Sequence, residues 1–277
     1  MDLDLKKINK IGIGTQSMAG DDPICGYGPA NDNNSLKTLE YALELGINWI
    51  DTAPNYGQGH AEKLISNHQD RFFIFTKCGI VWNEKGQTRR DLSPIWIRKD
   101  LENSLKRLKR DYIDGYMIHW VDPLYPITRS WEILIELKND KVRYIGISNL
   151  TIKQLRTCHA IYPIDFVQYR YNLIDRQVEK DVVPFCKENN IPFFAYSPLK
   201  SGLLFENFNS NYHPNDWRNK NSNFYGKGLE NNLILANELK KQTDLKLEQY
   251  AIKWLLDKNV YPIIGTKNKK KLEVIMG

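Results

Sequence analysis

The chain has 277 residues, of which 42% are hydrophobic and 26% are charged, as is typical of a folded globular protein. No run of ~18 apolar residues occurs, which excludes a membrane-spanning helix. The N-terminus, MDLDLKKINK, carries charges where a secretion signal has an apolar stretch, and the four cysteines show no CxxC spacing. We therefore expect a cytoplasmic protein without a structural zinc site.

The net charge of +6 indicates a partner that carries negative charge. Basic residues are spread along the chain, and their densest group is Lys267, Lys269, Lys270 and Lys271. No basic arm, zinc finger or RNA-binding aromatic motif accompanies them. We therefore predict a small acidic ligand such as a phosphate, and no nucleic-acid partner.

Short apolar runs alternate with amphipathic segments along the whole chain. Several of these runs contain Val, Ile, Phe and Tyr without interruption, as do strands that are buried on both faces. The predicted strands are residues 8–14, 47–50, 72–76, 112–118, 142–147, 166–168, 193–196 and 261–264. Helices are predicted between them. The expected helix starts include the polar residues 33–35, Ser93 followed by Pro94, and Thr151.

Eight strands that alternate with helices in a chain of this length predict a single domain, residues 1–277, folded as a (β/α)8 TIM barrel. The alternative is a doubly wound open sheet, which normally has a GxGxxG turn after its first strand. Here that turn is Gly12-Ile13-Gly14-Thr15-Gln16-Ser17, without the third glycine. Residues 201–228 have no clear period and are predicted to form a long loop over the barrel mouth.

Ionisable residues follow three of the predicted strands. Asp51, Lys77 and His119 each come directly after a buried run, and Tyr56 lies a short loop after Asp51. In a barrel all these strand ends meet at one mouth. Beside Asp51 the lysine stays protonated, lowers the pKa of the tyrosine and so prepares it as a general acid, while the histidine donates a second hydrogen bond. This set suits carbonyl reduction with hydride from a nicotinamide.

Six motifs follow one another in the chain. The first is Asp51-Thr52-Ala53-Pro54-Asn55-Tyr56-Gly57 with Glu62 shortly after it. The others are Thr76-Lys77, residues 118–123 (IHWVDP), residues 145–149 (IGISN), residues 195–199 (AYSPL) with residues 202–204 (GLL), and residues 264–268 (IGTKN). In this order they resemble the motifs of the NADPH-dependent, bacterial-type aldo-keto reductases, over residues 11–272.

The resemblance implies a (β/α)8 barrel with NADPH as cofactor, no metal, and a catalytic tetrad of Asp51, Lys77, His119 and Tyr56, with Tyr56 as the acid. It also implies residues that bind the cofactor. These are Gly14, Thr15 and Asp51 near the first strands, Ser148, Asn149 and Gln168 for the carboxamide, Tyr196 stacked on the nicotinamide ring, Ser197, Leu199 and Gly202 along the diphosphate, and Gly265, Thr266, Lys267, Asn268 and Lys271 around the 2′-phosphate.

Two departures from the family pattern occur near the end of the chain. Val274 and Ile275 stand where the family usually has a Glu-Asn pair that contacts adenine. The last predicted helix is also short, because the chain stops at Gly277. From this we expect that apolar barrel surface near the last helix is covered by a partner subunit, as in a homo-oligomer, or stays exposed.

The aromatic residues Tyr27, Trp82 and Trp120 are predicted to line the mouth and to contact a small carbonyl substrate. They suit a sugar or an aromatic carbonyl without choosing between them. Two other functions are compatible with the same residues: NAD(P)-linked oxidation of a sugar or polyol, and a cofactor-sensing regulatory barrel with little turnover.

Overall fold

The computed structural model describes residue 4 and residues 7–22, 24–138 and 140–277; residues 1–3, 5 and 6 of the charged N-terminal stretch lie outside this set. The strands are β1 (Gly12–Gly14), β2 (Trp49–Asp51), β3 (Phe73–Cys78), β4 (Ile80–Trp82), β5 (Thr88–Arg90), β6 (Ile113–Ile118), β7 (Val142–Ser148), β8 (Phe166–Arg170), β9 (Phe193–Tyr196) and β10 (Tyr261–Gly265). Eight of them form a closed parallel barrel in the order β1-β2-β3-β6-β7-β8-β9-β10, while β4 and β5 form an antiparallel hairpin outside it.

Helices surround the barrel, as in a (β/α)8 fold. Their bounds are α1 (Asp32–Glu44), α2 (His60–Ile65), α3 (Pro94–Leu108), α4 (Ile127–Leu137), α5 (Ile152–Ile161), α6 (Val182–Glu188), α7 (Gly226–Lys240), α8 (Leu247–Asp257) and α9 (Lys269–Met276). None of the helices in the described ranges combines the length and the apolar character that crossing a membrane requires.

Aromatic side chains fill the inside of the barrel. Trp49, Phe75, Phe166 and Phe194 are fully buried, and the ring centroids of Trp49 and Phe194 lie 4.8 Å apart. Phe166 and Phe194 are stacked with their centroids 5.3 Å apart. A second apolar layer lies between the strands and the helices. The polar side chains at the carboxyl ends of the strands therefore lie next to a closely packed apolar interior.

All eight predicted barrel strands are present, but the first is shorter than predicted. Instead of residues 8–14, β1 contains only Gly12–Gly14. The side chain of Asn9 explains the difference, because its oxygen accepts a hydrogen bond from the amide of Ile11 at 2.9 Å and its nitrogen donates to Gly46 at 3.1 Å. These bonds hold the backbone before Gly12 in a bent conformation that does not join the ladder of β-sheet hydrogen bonds.

The helix starts differ in detail from the sequence predictions. The cap of α1 is Asn31, whose side chain accepts from the amide of Asn34, so residues 33–35 lie inside the helix. Ser93 precedes α3 as predicted, but its hydroxyl donates to Asp91 at 2.7 Å and makes no capping bond. Thr151 caps α5 in a full capping box with Gln154.

Residues 201–228 contain more regular structure than the predicted loop. Two 3-10 helices, Trp217–Lys220 and Ser222–Phe224, lie within them, and α7 begins at Gly226. The segment is tied to the loop after β1 by a bridge between Tyr27 and Asp216. It therefore reaches the rim of the barrel mouth.

The last helix covers its part of the barrel. In α9, Leu272 is completely buried and Ile275 is 4% exposed, and the helix packs against α1 and α8. The expectation that a partner subunit covers this surface, or that it stays exposed, is therefore wrong, because α9 of the same chain covers it. The expected homo-oligomer stays a prediction.

Candidate active site

The four predicted catalytic residues come together at the carboxyl ends of the strands. Asp51 is the last residue of β2, and Lys77 is the last but one of β3. His119 directly follows β6, and its amide donates to Cys78 at 3.1 Å. Tyr56 lies in the turn after β2. Because the strands are parallel, all four side chains share one end of the barrel.

Lys77 is the centre of this group. Its ammonium nitrogen lies 2.8 Å from both carboxylate oxygens of Asp51 and 2.8 Å from the carbonyl oxygen of Thr52. It also donates to the hydroxyl oxygen of Tyr56 at 3.4 Å. The rings of Tyr56 and His119 are nearly perpendicular, with centroids 6.1 Å apart.

Burial controls the protonation of the two groups that face the cavity. Burial, followed by the negative charge of Asp51, raises the pKa of Tyr56 well above its ordinary value. The net shift is opposite to the predicted lowering by Lys77, because burial is the largest effect and the charge of Asp51 adds to it. Burial, aided by the charges of Lys77 and Arg90, holds the pKa of His119 well below its ordinary value. The tyrosine is therefore a protonated phenol and the histidine a neutral imidazole at neutral pH.

Glu62, the second acidic residue of the first motif, lies on the side of the tetrad away from the cavity. Glu62 is completely buried and accepts a hydrogen bond from the hydroxyl of Thr76 at 2.7 Å. Its other oxygen pairs with Arg107 at 2.6 Å. Glu62 thus fixes the strand residue next to Lys77 and has no contact with the cavity.

Three predicted carboxamide-binding residues are hydrogen-bonded to members of the tetrad, directly or through one another. Gln168 donates to Asp51 at 2.6 Å across the barrel. Asn149 donates to the hydroxyl of Ser148 at 2.8 Å and to the carbonyl of His119 at 3.1 Å. The hydroxyl of Tyr196 donates to Asn149 at 2.9 Å. Such a network fixes the side chains before a ligand binds.

A cavity of about 740 Å³ extends from this network to the end of β10. It is large enough for a dinucleotide and a small substrate. The predicted site residues that line it are Gly14, Tyr27, Asp51, Tyr56, His119, Trp120, Ser148, Asn149, Gln168, Tyr196, Ser197, Leu199, Gly202, Gly265, Thr266, Lys267, Asn268 and Lys271.

Three predicted residues do not line the cavity. Lys77 lies behind Tyr56, with its ammonium nitrogen 3.4 Å from the tyrosine hydroxyl oxygen. Thr15 is completely buried, and its hydroxyl donates to Thr52 at 2.9 Å, so it supports the strand ends. Trp82 lies in the hairpin strand β4, beside the guanidinium of Arg107. The hairpin reaches the cavity through other residues, and Trp82 is therefore not a mouth residue.

The cavity has the chemistry that a nicotinamide dinucleotide requires. In the described part of the chain, the buried hydroxyl oxygen of Ser17 and side-chain oxygen of Asn55 have no hydrogen-bond partner, and both residues line the cavity. A Cβ at Gly265 would meet no atom within 4 Å and would project into the open space. Lys271 brings positive charge to the same end, at the start of α9. These features fit a polar, anionic ligand with a diphosphate.

The loop after β1 binds the ammonium of Lys267, one of the residues predicted to bind the 2′-phosphate. The ammonium of Lys267 donates to the carbonyl oxygens of Tyr27, Gly28 and Pro29 at 3.1, 3.2 and 2.7 Å. Among the described residues, no carboxylate lies within ion-pair distance of Lys271, whose ammonium lies 5.6 Å from the ring of Phe205. Lys271 is therefore the freer of the two cations.

Several cavity residues were not predicted from the sequence. Arg218 pairs with Asp216 at 2.6 Å and donates to the carbonyl of Ser201 at 3.0 Å. Arg170, at the end of β8, also lines the cavity. The position of Arg170 two residues after Gln168 was a usable signal, since alternate strand residues share a face. Arg218 lies in the 3-10 helix Trp217–Lys220, in a stretch whose sequence has no clear period, and offered no such signal. Over the described ranges, no cluster of three or more side chains could hold a metal ion.

Comparisons with known proteins agree with this geometry. The model of the Aldo/keto reductase family matches residues 10–277. Aldo-keto reductase YhdN of Bacillus subtilis is 34% identical over 262 residues, covering 90% of this chain and 78% of its own. The NADH-specific methylglyoxal reductase of Escherichia coli is 35% identical over 230 residues, covering 75% and 68%.

Solved structures show the same likeness. The glycerol dehydrogenase AKR11B4 of Gluconobacter oxydans superimposes with a TM-score of 0.85 at 30% identity, covering 98% of this chain and 87% of its own. The fold and the family match together show the (β/α)8 barrel and an oxidoreductase that acts on small carbonyl compounds with a nicotinamide cofactor. The chain belongs to the aldo/keto reductase family.

Proposed function

We propose that this protein reduces the carbonyl group of a small aldehyde or ketone with NADPH, and that Tyr56 is the general acid. One observation carries the proposal: the ammonium of Lys77 contacts both Asp51 and the Tyr56 hydroxyl beneath the cavity. Because the hydroxyl oxygen of Tyr56 accepts from Lys77 and Tyr56 lines the cavity, its proton can be donated to a substrate oxygen there.

A nicotinamide dinucleotide bound in this cavity would supply the hydride. Tyr56 gives its proton to the carbonyl oxygen as that oxygen gains negative charge. His119, held neutral by burial, donates a second hydrogen bond to the same oxygen. Burial lowers the pKa of Lys77 and the charge of Asp51 opposes this shift, so that an ammonium at this position can stabilise the phenolate that forms.

The choice of NADPH is supported by the positive end of the cavity. Lys267 and Lys271 both line it there, beside the start of α9. Family membership alone does not choose the cofactor, because one relative is an NADH-specific methylglyoxal reductase. The lysines would bind the 2′-phosphate that distinguishes NADPH from NADH.

The oxidative direction is the second candidate. The glycerol dehydrogenase that shares 30% identity favours it, since the same four side chains serve oxidation of an alcohol when the proton moves back to the phenolate. Rates with NADP⁺ and glycerol, compared with rates with NADPH and an aldehyde, decide between the directions.

Three further assignments belong to this proposal. The chain forms one domain. Residues 201–228 cover the substrate and cofactor, which is supported by the presence of Ser201, Phe205 and Arg218 in the cavity wall. The four cysteines are free thiols, which supports a reducing, cytoplasmic location.

The test is NADPH oxidation, followed by absorbance, with methylglyoxal and other small aldehydes as substrates. Tyr56→Phe is expected to lower kcat by ~10²–10⁴-fold, as loss of a general acid does. Tyr225→Phe, at an exposed tyrosine outside the cavity, is the matched control and should leave kcat unchanged. Equal rates for wild type and Tyr56→Phe would refute the role of Tyr56.

A further inference from the structure

Arg170 introduces a cation at the nicotinamide end of the cavity. It is the last residue of β8, its side chain is exposed, and it lines the cavity. It follows Gln168 by two positions, so both side chains point to the inside of the barrel. Because Gln168 touches Asp51, Arg170 stands one layer above the tetrad on the solvent side.

The charge of Arg170 is not balanced within the cavity. Asp51 is the only carboxylate among the described residues that line the cavity, and Lys77 neutralises it. No described residue places a carboxylate within 4 Å of the Arg170 guanidinium. An unpaired, cavity-facing guanidinium favours a ligand that brings its own negative charge.

Arg170 is separate from the cations that we assign to the cofactor. Lys267 and Lys271 follow β10, and β9 lies between that strand and β8. The guanidinium of Arg170 instead lies 5.7 Å from the ring of Tyr196, the residue expected to stack on the nicotinamide. Arg170 therefore belongs to the end of the cavity where the carbonyl substrate reacts.

Arg90 is a second arginine near the substrate end of the cavity. Arg90, in β5, lies with its guanidinium 5.4 Å from the ring of Trp120, which lines the cavity next to His119. Arg90 donates to the carbonyl of Val121, which fixes it outside the cavity. No main-chain carbonyl among the described residues holds Arg170 in this way. Its guanidinium interacts with the side chain of Tyr196, which also lines the cavity, and from there it can reach a substrate.

We propose that Arg170 selects carbonyl substrates that carry an anionic oxygen group, a carboxylate or a phosphate, by binding that group beside the reacting carbonyl. The inference rests on the proposed function, because the carbonyl must lie at Tyr56 and His119 for the anion to reach Arg170. A guanidinium binds such groups through two parallel hydrogen bonds.

The test compares matched substrates that differ in charge. One pair is 4-oxobutanoate and its methyl ester, and the other is glyceraldehyde 3-phosphate and glyceraldehyde. Arg170→Gln is expected to lower kcat/KM for the charged member by ~10–100-fold and to change the neutral member less than about twofold. Arg170→Lys should keep part of the preference for the charged substrate, because lysine keeps the positive charge but cannot make the two parallel hydrogen bonds of a guanidinium. The pair with the larger effect identifies the anionic group.

Arg156→Gln is the control, because it removes the same charge from the outer helix α5. It should leave all four rates unchanged. A loss that is equal for charged and neutral substrates, or a raised Kd for NADPH, would overturn the assignment of Arg170 alone. Absence of turnover on every carbonyl would overturn the proposed function, and this assignment with it.

Discussion

The ammonium of Lys77 and the carboxylate of Asp51 form a buried pair in which both carboxylate oxygens lie 2.8 Å from the nitrogen. The side chains are 1% and 5% exposed. Thr52 supplies a further acceptor for the ammonium, and Gln168 donates to the carboxylate. The pair is therefore fully hydrogen-bonded, which is the condition under which buried charges can be held.

Removal of one partner of this pair should destabilise the fold. Asp51→Asn or Lys77→Met leaves one charge buried without its partner, at an expected loss of ~3–5 kcal/mol in the free energy of unfolding. The double variant should lose less than the sum of the single losses, because no charge remains unpaired. Urea denaturation followed by circular dichroism measures all three.

The exposed pair Lys253–Asp257 provides the comparison. Its side chains are 60% and 61% exposed, so Lys253→Met should cost no more than ~0.5 kcal/mol. Additive losses at Asp51 and Lys77 would show that the two side chains do not act as a pair.

The pH dependence of kcat follows from Tyr56 and His119. The pKa of Tyr56 lies well above its ordinary value of 10.0, and that of His119 lies well below 6.5. Between these limits the phenol keeps its proton and the imidazole stays neutral. We expect kcat for carbonyl reduction at saturating cofactor to vary less than about threefold from pH 7 to pH 9. A tenfold fall centred within that range would contradict the assignment of these protonation states.

Asp100 should make the stability depend on pH. Burial raises its pKa from 3.8 to about 7, although the amide of Gly79 donates to it. Between these values the folded state holds a proton that the unfolded state has lost, so stability is lost as the pH rises through 7. The side chain of Asn in Asp100→Asn cannot ionise, so only the wild type should lose stability from this position between pH 5 and pH 8. We expect the free energy of unfolding of Asp100→Asn, relative to wild type, to increase by roughly 2–3 kcal/mol from pH 5 to pH 8.

The same denaturation series with Asp244→Asn is the control, since Asp244 is exposed. The difference in the free energy of unfolding between Asp244→Asn and wild type should stay constant from pH 5 to pH 8. A constant difference for Asp100→Asn would mean that the carboxyl is already ionised in the folded protein at pH 5.

The barrel and the tetrad could be predicted because their signals are local. A strand buried on both faces is apolar throughout, and Asp51, Lys77 and His119 stand at or just beyond the ends of three such runs. The hairpin strand β5 was missed for the opposite reason. Thr88–Arg90 is exposed at all three residues and has no apolar pattern.

Other features depend on the folded chain and had no sequence signal. The raised pKa of Tyr56 follows from burial and then from the negative charge of Asp51, and the extent of burial cannot be read from spacing. The contact of Lys267 with Tyr27 joins parts of the chain 240 positions apart. The capping of α1 at Asn31, two residues before the predicted start, shows that polar runs locate a helix end only approximately.

Lys271 should determine the preference for NADPH over NADH. Lys267 is held by three carbonyl oxygens, whereas Lys271 lines the cavity without a carboxylate partner among the described residues. Lys271→Gln is therefore expected to raise the Kd for NADPH by ~10-fold and to leave the Kd for NADH unchanged, because only NADPH carries the 2′-phosphate. Quenching of tryptophan fluorescence during titration with each nucleotide measures both constants.

Lys269→Gln is the matched control for this substitution. Lys269 begins the same helix, but its ammonium lies 4.4 Å from the ring of Tyr41 and 3.9 Å from Glu273, outside the cavity. It removes the same charge and should change neither constant by more than about twofold. If Lys271→Gln weakened both nucleotides equally, Lys271 would act on the diphosphate that they share, and the 2′-phosphate assignment would be wrong.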